Sequence, residues 1–181
     1  MKLDRTLQFR GNRDYLHSTS VMNDLFDLRG KDVTHIDLKF HRRTSQQVSY
    51  TDEPQAAANA VAEWNDSLGK LYLVERGEQI TLRAPYDEDA LAGVFEIDGR
   101  GIRIPAHAHG FTRTDAIVAA FKRLLQTAHA AGRKYAFVRI RLDRWPAGAM
   151  EIRYVRDIGA FFQGDISERG KPLGQIFFGV W

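Results

Sequence analysis

Hydrophobic positions along this chain switch from a helical to an alternating period, and then do so a second time. Val21, Met22, Leu25 and Phe26 recur at the spacing of one helical face. They predict a helix between the hydroxyl run Ser18, Thr19 and Ser20, any of which could cap it, and Gly30, which could stop it. Three alternating runs follow: "HIDLKFH", "QQVSYT" and "AVAEWNDSLGKLYLVERG", the last folding back around a turn. A second helical stripe, Ile117, Ala120, Phe121, Leu124 and Leu125, lies between Thr112 or Thr114 as cap and Gly132 as stop. It too leads into alternating runs, "FVRIRLD", "MEIRYVR" and "AFFQGDISERGKPLGQIFFGVW". Successive strand side chains point to opposite faces. Ile36, Leu38 and Phe40 therefore face inward, and Asp37, Lys39 and His41 face outward.

The two halves overlay element by element. Phe26 falls on Phe121, Gly30 on Gly132, Ile36, Leu38 and Phe40 on Val138, Ile140 and Leu142, Tyr50 on Tyr154, and the turn Gly69-Lys70 on Gly170-Lys171. The offset drifts where connecting loops differ in length, as loops tolerate insertion better than elements do. Similarity at so long a period predicts two copies of one unit. Residues 1–76 form the first, 94–181 the second, and 77–93 connect them, with "PYDEDA" as an acidic solvated tip. Short strands "TLQFRG" and "GVFEIDGRGIRI" precede the two helices.

Composition narrows the chemistry. A chain of 181 residues can bury roughly 70% of its unfolded surface without a structural metal or disulfide. The absence of cysteine excludes thiolate nucleophiles and cysteine-ligated zinc, and it fits a cytoplasmic protein. The first residues carry charges without an apolar leader, and no window approaches about 18 uninterrupted apolar residues, so no membrane partner is expected. The net charge of +3, from 26 Lys and Arg against 23 Asp and Glu, is spread along the chain. It suits a phosphate-bearing ligand as well as it suits solubility. The interleaved "LKFHRR" and "RIRLDRW", with Arg139 and Arg141, would also suit nucleic acid, but a sheet with one wet face needs the same alternation.

A long helix followed by antiparallel strands, twice over, resembles the hotdog fold, in which a curved sheet wraps a central helix. The fold class expected is α+β, a double hotdog in which one chain imitates the dimer formed by single-unit members. The resemblance implies an acyl thioester of coenzyme A or acyl carrier protein as partner, bound between two units beside the start of the central helix. Hydrolysis and dehydration are the reactions it implies. No cofactor and no metal are expected, and the fused pair could dimerise again. Helix N-terminal amides and the helix dipole would polarise the thioester carbonyl.

"DYLHSTS" is similar to the helix-start motif of 4-hydroxybenzoyl-CoA-type thioesterases, Asp-x-x-Gly-His-Val-Asn-Asn. The resemblance makes Asp14 the nucleophile or general base and His17 the motif histidine. Leu16 stands where the motif has glycine, and Ser18, Thr19 and Ser20 replace Val-Asn-Asn. The dehydratase alternative draws its base from His17, His107 or His109 and its acid from Asp24 or Asp115, although the "His-Phe-Pro-Gly-x-Pro" signature is missing. In the overlay His109 falls at Asp14 and Thr112 at His17. The catalytic set expected is thus Asp14, His17, His109 and Asp115, with Ser18, Thr19, Ser20, Thr112 and Thr114 binding substrate. Each has a structural reading beside it: Asp14, Asp115 and the hydroxyls as caps, His17 as a hydrogen-bonded buried histidine, Asp24 as solvent-facing. "HAH" invites a metal, but alternate strand positions face opposite ways. The rival from another class is a module that binds an acyl group or carrier protein without turnover.

Overall fold

In the computed structural model, which describes residues 1–107, 110–129 and 132–180, the chain divides between Tyr86 and Asp87. The first unit runs β1 (Lys2–Asp4), β2 (Phe9–Arg10), α1 (Ser18–Arg29), β3 (Thr34–Phe40), β4 (Gln46–Thr51), a 3₁₀ turn (Pro54–Asn59), β5 (Ala62–Asp66), β6 (Gly69–Gln79) and β7 (Arg83–Ala84). Its sheet has the order β1-β4-β6-β5-β3 and is antiparallel throughout. Beside it, β2 and β7 form a parallel pair that sets Phe9 opposite Arg83. The second unit runs α2 (Glu88–Gly93), β8 (Glu96–Asp98), β9 (Gly101–Ile104), α3 (Arg113–Ala128), β10 (Tyr135–Arg144), β11 (Met150–Ile158), β12 (Phe161–Glu168) and β13 (Lys171–Val180). Its antiparallel sheet has the order β10-β13-β12-β11-β9-β8.

Each unit therefore has a short strand, a long helix and four longer strands, and the short strand pairs with the second of the four. Few helices and antiparallel sheet fit a hotdog fold. The overlay fails at the last hairpin, and chain routing is the reason. From β4 the chain crosses through Pro54 and the 3₁₀ turn, so β5 lands beside β3 and β6 beside β4. From β11 it turns directly at Gly159, whose φ of 59° suits glycine, so β12 lands beside β11 and β13 beside β10. The turns at Gly69-Lys70 and Gly170-Lys171 thus close hairpins whose strands take opposite places. "TLQFRG" shortens to β2, and β1 lies ahead of it. Residues 77–93 hold the end of β6, β7 and α2. In "PYDEDA" Pro85, Asp87, Asp89 and Ala90 are exposed, as expected of an acidic solvated tip, but Asp87 also caps α2, and Glu88, 8% exposed, pairs with Lys122 at 2.5 Å.

Corresponding helix faces meet their sheets in the same way. Phe26 stands edge-on to Trp64 at 5.2 Å, and Phe121 edge-on to Phe178 at 5.3 Å. Such pairs contribute about 0.5–1.5 kcal/mol beyond area burial. Thr114 through Phe121 are buried without a break, so α3 is covered all round over two turns. Phe121 presses so close to β12 that a Cβ on Gly164 would come within 2.5 Å of its ring.

At the end of β12, Glu168 is buried and accepts hydrogen bonds from the amides of Ala147 (2.6 Å) and Gly148 and from Arg144. Burial alone would raise its pKa, but those donors together hold it below the usual glutamate range. A lowered folded pKa stabilises the protein above the ordinary glutamate value, and that stability is lost as pH falls through the folded one. Glu168→Gln is expected to cost about 1–3 kcal/mol at neutral pH. In thermal denaturation the gap to the parent should narrow toward about pH 3; a gap independent of pH contradicts the assignment.

Candidate active site at the start of helix α1

Two backbone anchors bring the chain to α1. Gly11, at a φ of 58°, donates to the Ala84 carbonyl at 2.9 Å, and a Cβ there would sit 2.7 Å from the Tyr86 oxygen. Leu16 donates to the Thr44 carbonyl at 2.7 Å. The residue in the cap position is then His17, 5% exposed and in extended backbone (φ −78°, ψ 140°). This corrects the expected caps: Ser18 and Thr19 are buried inside the helix, and Ser20 is half-buried.

A ring nitrogen does the capping. The Thr19 amide donates to His17 Nδ1 at 3.4 Å, and Thr19 Oγ1 lies 2.7 Å from the same atom. A backbone N–H can only donate, so Nδ1 carries a lone pair and the neutral ring bears its proton on Nε2. The Thr19 hydroxyl in turn accepts from Arg10, which directs its own hydrogen to Nδ1. The Arg10 guanidinium lies over the Tyr86 ring at 4.1 Å, and His17 tilts against that ring at 5.4 Å. The start of α1 therefore holds a buried imidazole in one tautomer, with Nε2–H as donor. Asp14 is exposed, in a bend three residues earlier.

The start of α3 is built differently. Thr112 caps it, accepting from the Asp115 amide at 3.2 Å, while Asp115 Oδ2 accepts from the Thr112 amide at 3.2 Å. Thr112 and Thr114 hydroxyls are 2.7 Å apart. This reciprocal box satisfies two helix-end amides. Asp115, 1% exposed, has one oxygen committed to it. The overlay's match of Thr112 with His17 is a match of two cap positions. His107 is exposed, and His109 lies outside the described residues. Helix α3 ends on His129, whose amide and Nδ1 both reach the Leu125 carbonyl at 3.1 Å, rather than on Gly132. Among the described residues no three His, Asp or Glu gather as a metal site requires, and no helix is long and apolar enough to cross a membrane.

Asp24 is not solvent-facing. Arg5 grips it with two donors, Nε to Oδ2 at 2.8 Å and Nη2 to Oδ1. Both carboxylate oxygens of Asp24 are thereby engaged by one guanidinium. Nothing in the spacing of "KLDRT" and "MNDLF" signals this pair, because β1 and α1 meet only in the fold. Near it the Tyr50 hydroxyl is buried beside Asp24 without a well-formed hydrogen bond. Burial, reinforced by the Asp24 charge, pushes its pKa well above the ordinary range.

No protein-family profile matches the sequence, and no curated protein matches it. Several solved structures are similar to the chain. A candidate thioesterase II from Thermobifida fusca YX has a TM-score of 0.46 at 11% identity, over 94% of this chain and 88% of that one. The bifunctional dehydratase-cyclase domain of ambruticin biosynthesis has 0.44 at 13%, over 99% and 90%. A candidate oleoyl thioesterase from Lactobacillus plantarum has 0.44 at 10%, over 99% and 94%. Scores and identities this low carry no residue role or activity across to this chain.

An orphaned hydroxyl contributes nothing that its removal would forfeit. Tyr50→Phe is expected to keep thermal stability within about 0.5 kcal/mol of the parent or to raise it. Asp24→Asn, which leaves Arg5 without its counter-charge, should cost about 1–3 kcal/mol. A large loss in Tyr50→Phe would reveal a hydrogen bond to Asp24.

Proposed function

We propose that the start of α1 binds an acyl thioester of coenzyme A or acyl carrier protein and hydrolyses it in a cytoplasmic double-hotdog protein. The observation that carries the reading is the cap of α1, in which His17 Nδ1 accepts from the Thr19 amide. With Nδ1 capping the helix, the ring's N–H is on Nε2, a donor of the kind that suits a carbonyl oxygen gaining charge as the tetrahedral intermediate forms. The same tautomer cannot act as a base through Nε2, which favours hydrolysis over the removal of an α proton. Asp115, the acid that dehydration would need, is engaged as a cap.

In the proposed reaction His17 Nε2–H and the positive end of the α1 dipole hold the thioester carbonyl oxygen. Asp14 takes a proton from water, whose oxygen adds to the carbonyl carbon. When the intermediate collapses the carbon–sulfur bond breaks, the thiolate takes a proton and the carboxylic acid leaves. Ser18, Thr19 and Ser20 shape the floor of the site. Thr112 and Thr114 keep the start of α3 in place, and His109 is tested beside them.

His17 is 5% exposed, and this supports a second reading, an acyl or carrier-protein binding module without turnover. The test is hydrolysis of an acyl-CoA series and of acyl carrier protein, followed as thiol release. Removing one donor to a developing oxyanion costs about 10²-fold or more in kcat, so His17→Ala should lose that much, and Asp14→Asn about 10²-fold. His109→Ala is expected to keep activity within about threefold. Full activity in both His17→Ala and Asp14→Asn contradicts the proposed site. Ligand-dependent stabilisation without thiol release selects the binding module.

A further inference from the structure

The second unit carries a cavity that the proposed thioester chemistry leaves unused. It measures about 480 Å³, within the usual range for small-molecule sites, and all of its lining residues belong to that unit. Its floor is one row of the sheet. Glu96 on β8 stands opposite Arg103 on β9, Arg103 opposite Glu151 on β11, and Glu151 opposite Ser167 on β12. Residues paired across a ladder share a face, and this is the face turned away from the buried Ile102, Ile152 and Ile166. Apolar surface edges the row through Pro105, Ala149 and Val94, the last 72% exposed. The rims are held in place. Arg113 donates to the carbonyls of Pro105 at 3.0 Å and of Gly148, and Glu168 accepts from the amides of Ala147 and Gly148.

One charge at each end of the cavity is unmatched. Arg103 meets Asp98 at 3.6 Å and Glu151 meets Arg153 at 2.6 Å, whereas among the described residues neither Glu96 nor Arg169 has a side-chain hydrogen bond or ion pair. Arg169 also sits in an unfavourable backbone form. With Gly170 it makes the two-residue turn between β12 and β13, at φ values of 51° and 78°, the left-handed form that asparagine-glycine ordinarily supplies. An arginine adds nothing to such a turn, and its guanidinium lies against Gly148, where a Cβ would sit 3.1 Å from Nε. Strain kept in the wall of a cavity points to a ligand. We propose that this cavity binds a short peptide with both termini free, its ammonium on Glu96 and its carboxylate on Arg169. The floor crosses three inter-strand spacings, about 14 Å, which is the length of about four extended residues. Opposite charges at the two ends, with apolar surface between them, select a zwitterion; Glu96 and Glu151 would repel a simple anion. The thioester reading plays no part in this inference.

The experiment is calorimetric titration of the whole protein with tetra-alanine in its free, N-acetylated, C-amidated and doubly blocked forms. The free peptide should bind, and each block should weaken binding about tenfold, the scale of one charge-assisted hydrogen bond. Two variants assign the ends. Glu96→Gln should weaken the free peptide about tenfold and leave binding indifferent to acetylation, and Arg169→Asn should do the same for amidation. Arg169→Asn also separates recognition from folding, because asparagine suits the left-handed turn. Its melting temperature should equal or exceed the parent's while the carboxylate is no longer recognised. Lys31→Ala, exposed in the first unit, should bind as the parent does. No binding of the free peptide, equal affinity for the free and doubly blocked forms, unchanged binding in either Glu96→Gln or Arg169→Asn, or a lower melting temperature in Arg169→Asn overturns the proposal.

Discussion

Most of the first turn of each long helix is buried, and the amide groups there must find acceptors inside the chain. At α1, His17, Ser18 and Thr19 are 5%, 7% and 0% exposed, and at α3, Thr114 and Asp115 are 0% and 1%. The two ends meet this constraint differently. Thr112 and Asp115 close on each other, which spends a hydroxyl and a carboxylate oxygen on the cap. At α1 the acceptor is one nitrogen of a ring, and the other nitrogen keeps its proton. Similar places in two similar units thus keep different residual chemistry, and the functional reading follows from that difference.

Buried charge locks the surroundings of these helices. Arg5 with Asp24 ties the N-terminal segment to α1, Lys122 with Glu88 ties α3 to α2, and Arg144 with Glu168 closes the loop ahead of β11. None of the three carboxylates is more than 15% exposed. A pair of this kind adds less by existing than is lost when one partner is removed and the other stays buried. Such pairs set the place of each element more than they set total stability. Arg10 has a similar part at smaller scale, because its bond to Thr19 settles which way the threonine hydrogen points and so which His17 nitrogen is protonated.

Some of this was legible in the sequence. Alternation located β3 and β10 closely because one face of each is buried, through Ile36 and Leu38 and through Ile140 and Leu142. The stripes of Phe26 and Phe121 located both helices, and Gly30 stopped the first. The order of the last hairpin was hidden, since alternation says which face a residue takes and nothing about which strand lies beside it. Only the length and proline of residues 52–61 hint at a crossover. The cap of α1 was hidden because three hydroxyls in a row offer better ordinary caps than histidine; the anchor from Leu16 to Thr44 selects among them. The row beneath the second unit's cavity was hidden for the same kind of reason, being drawn from residues 96, 103, 151 and 167 on four strands.

The tautomer of His17 is the point on which the account turns. Nitrogen-15 NMR of the histidine side chains above their titration, with His17→Gln used to assign the signals, reads it directly. The account predicts that His17 holds its proton on Nε2 and that Nδ1 is unprotonated and hydrogen-bonded, and that Thr19→Val disturbs this signal. A proton on Nδ1, or rapid exchange between the two tautomers in the parent protein, would contradict it.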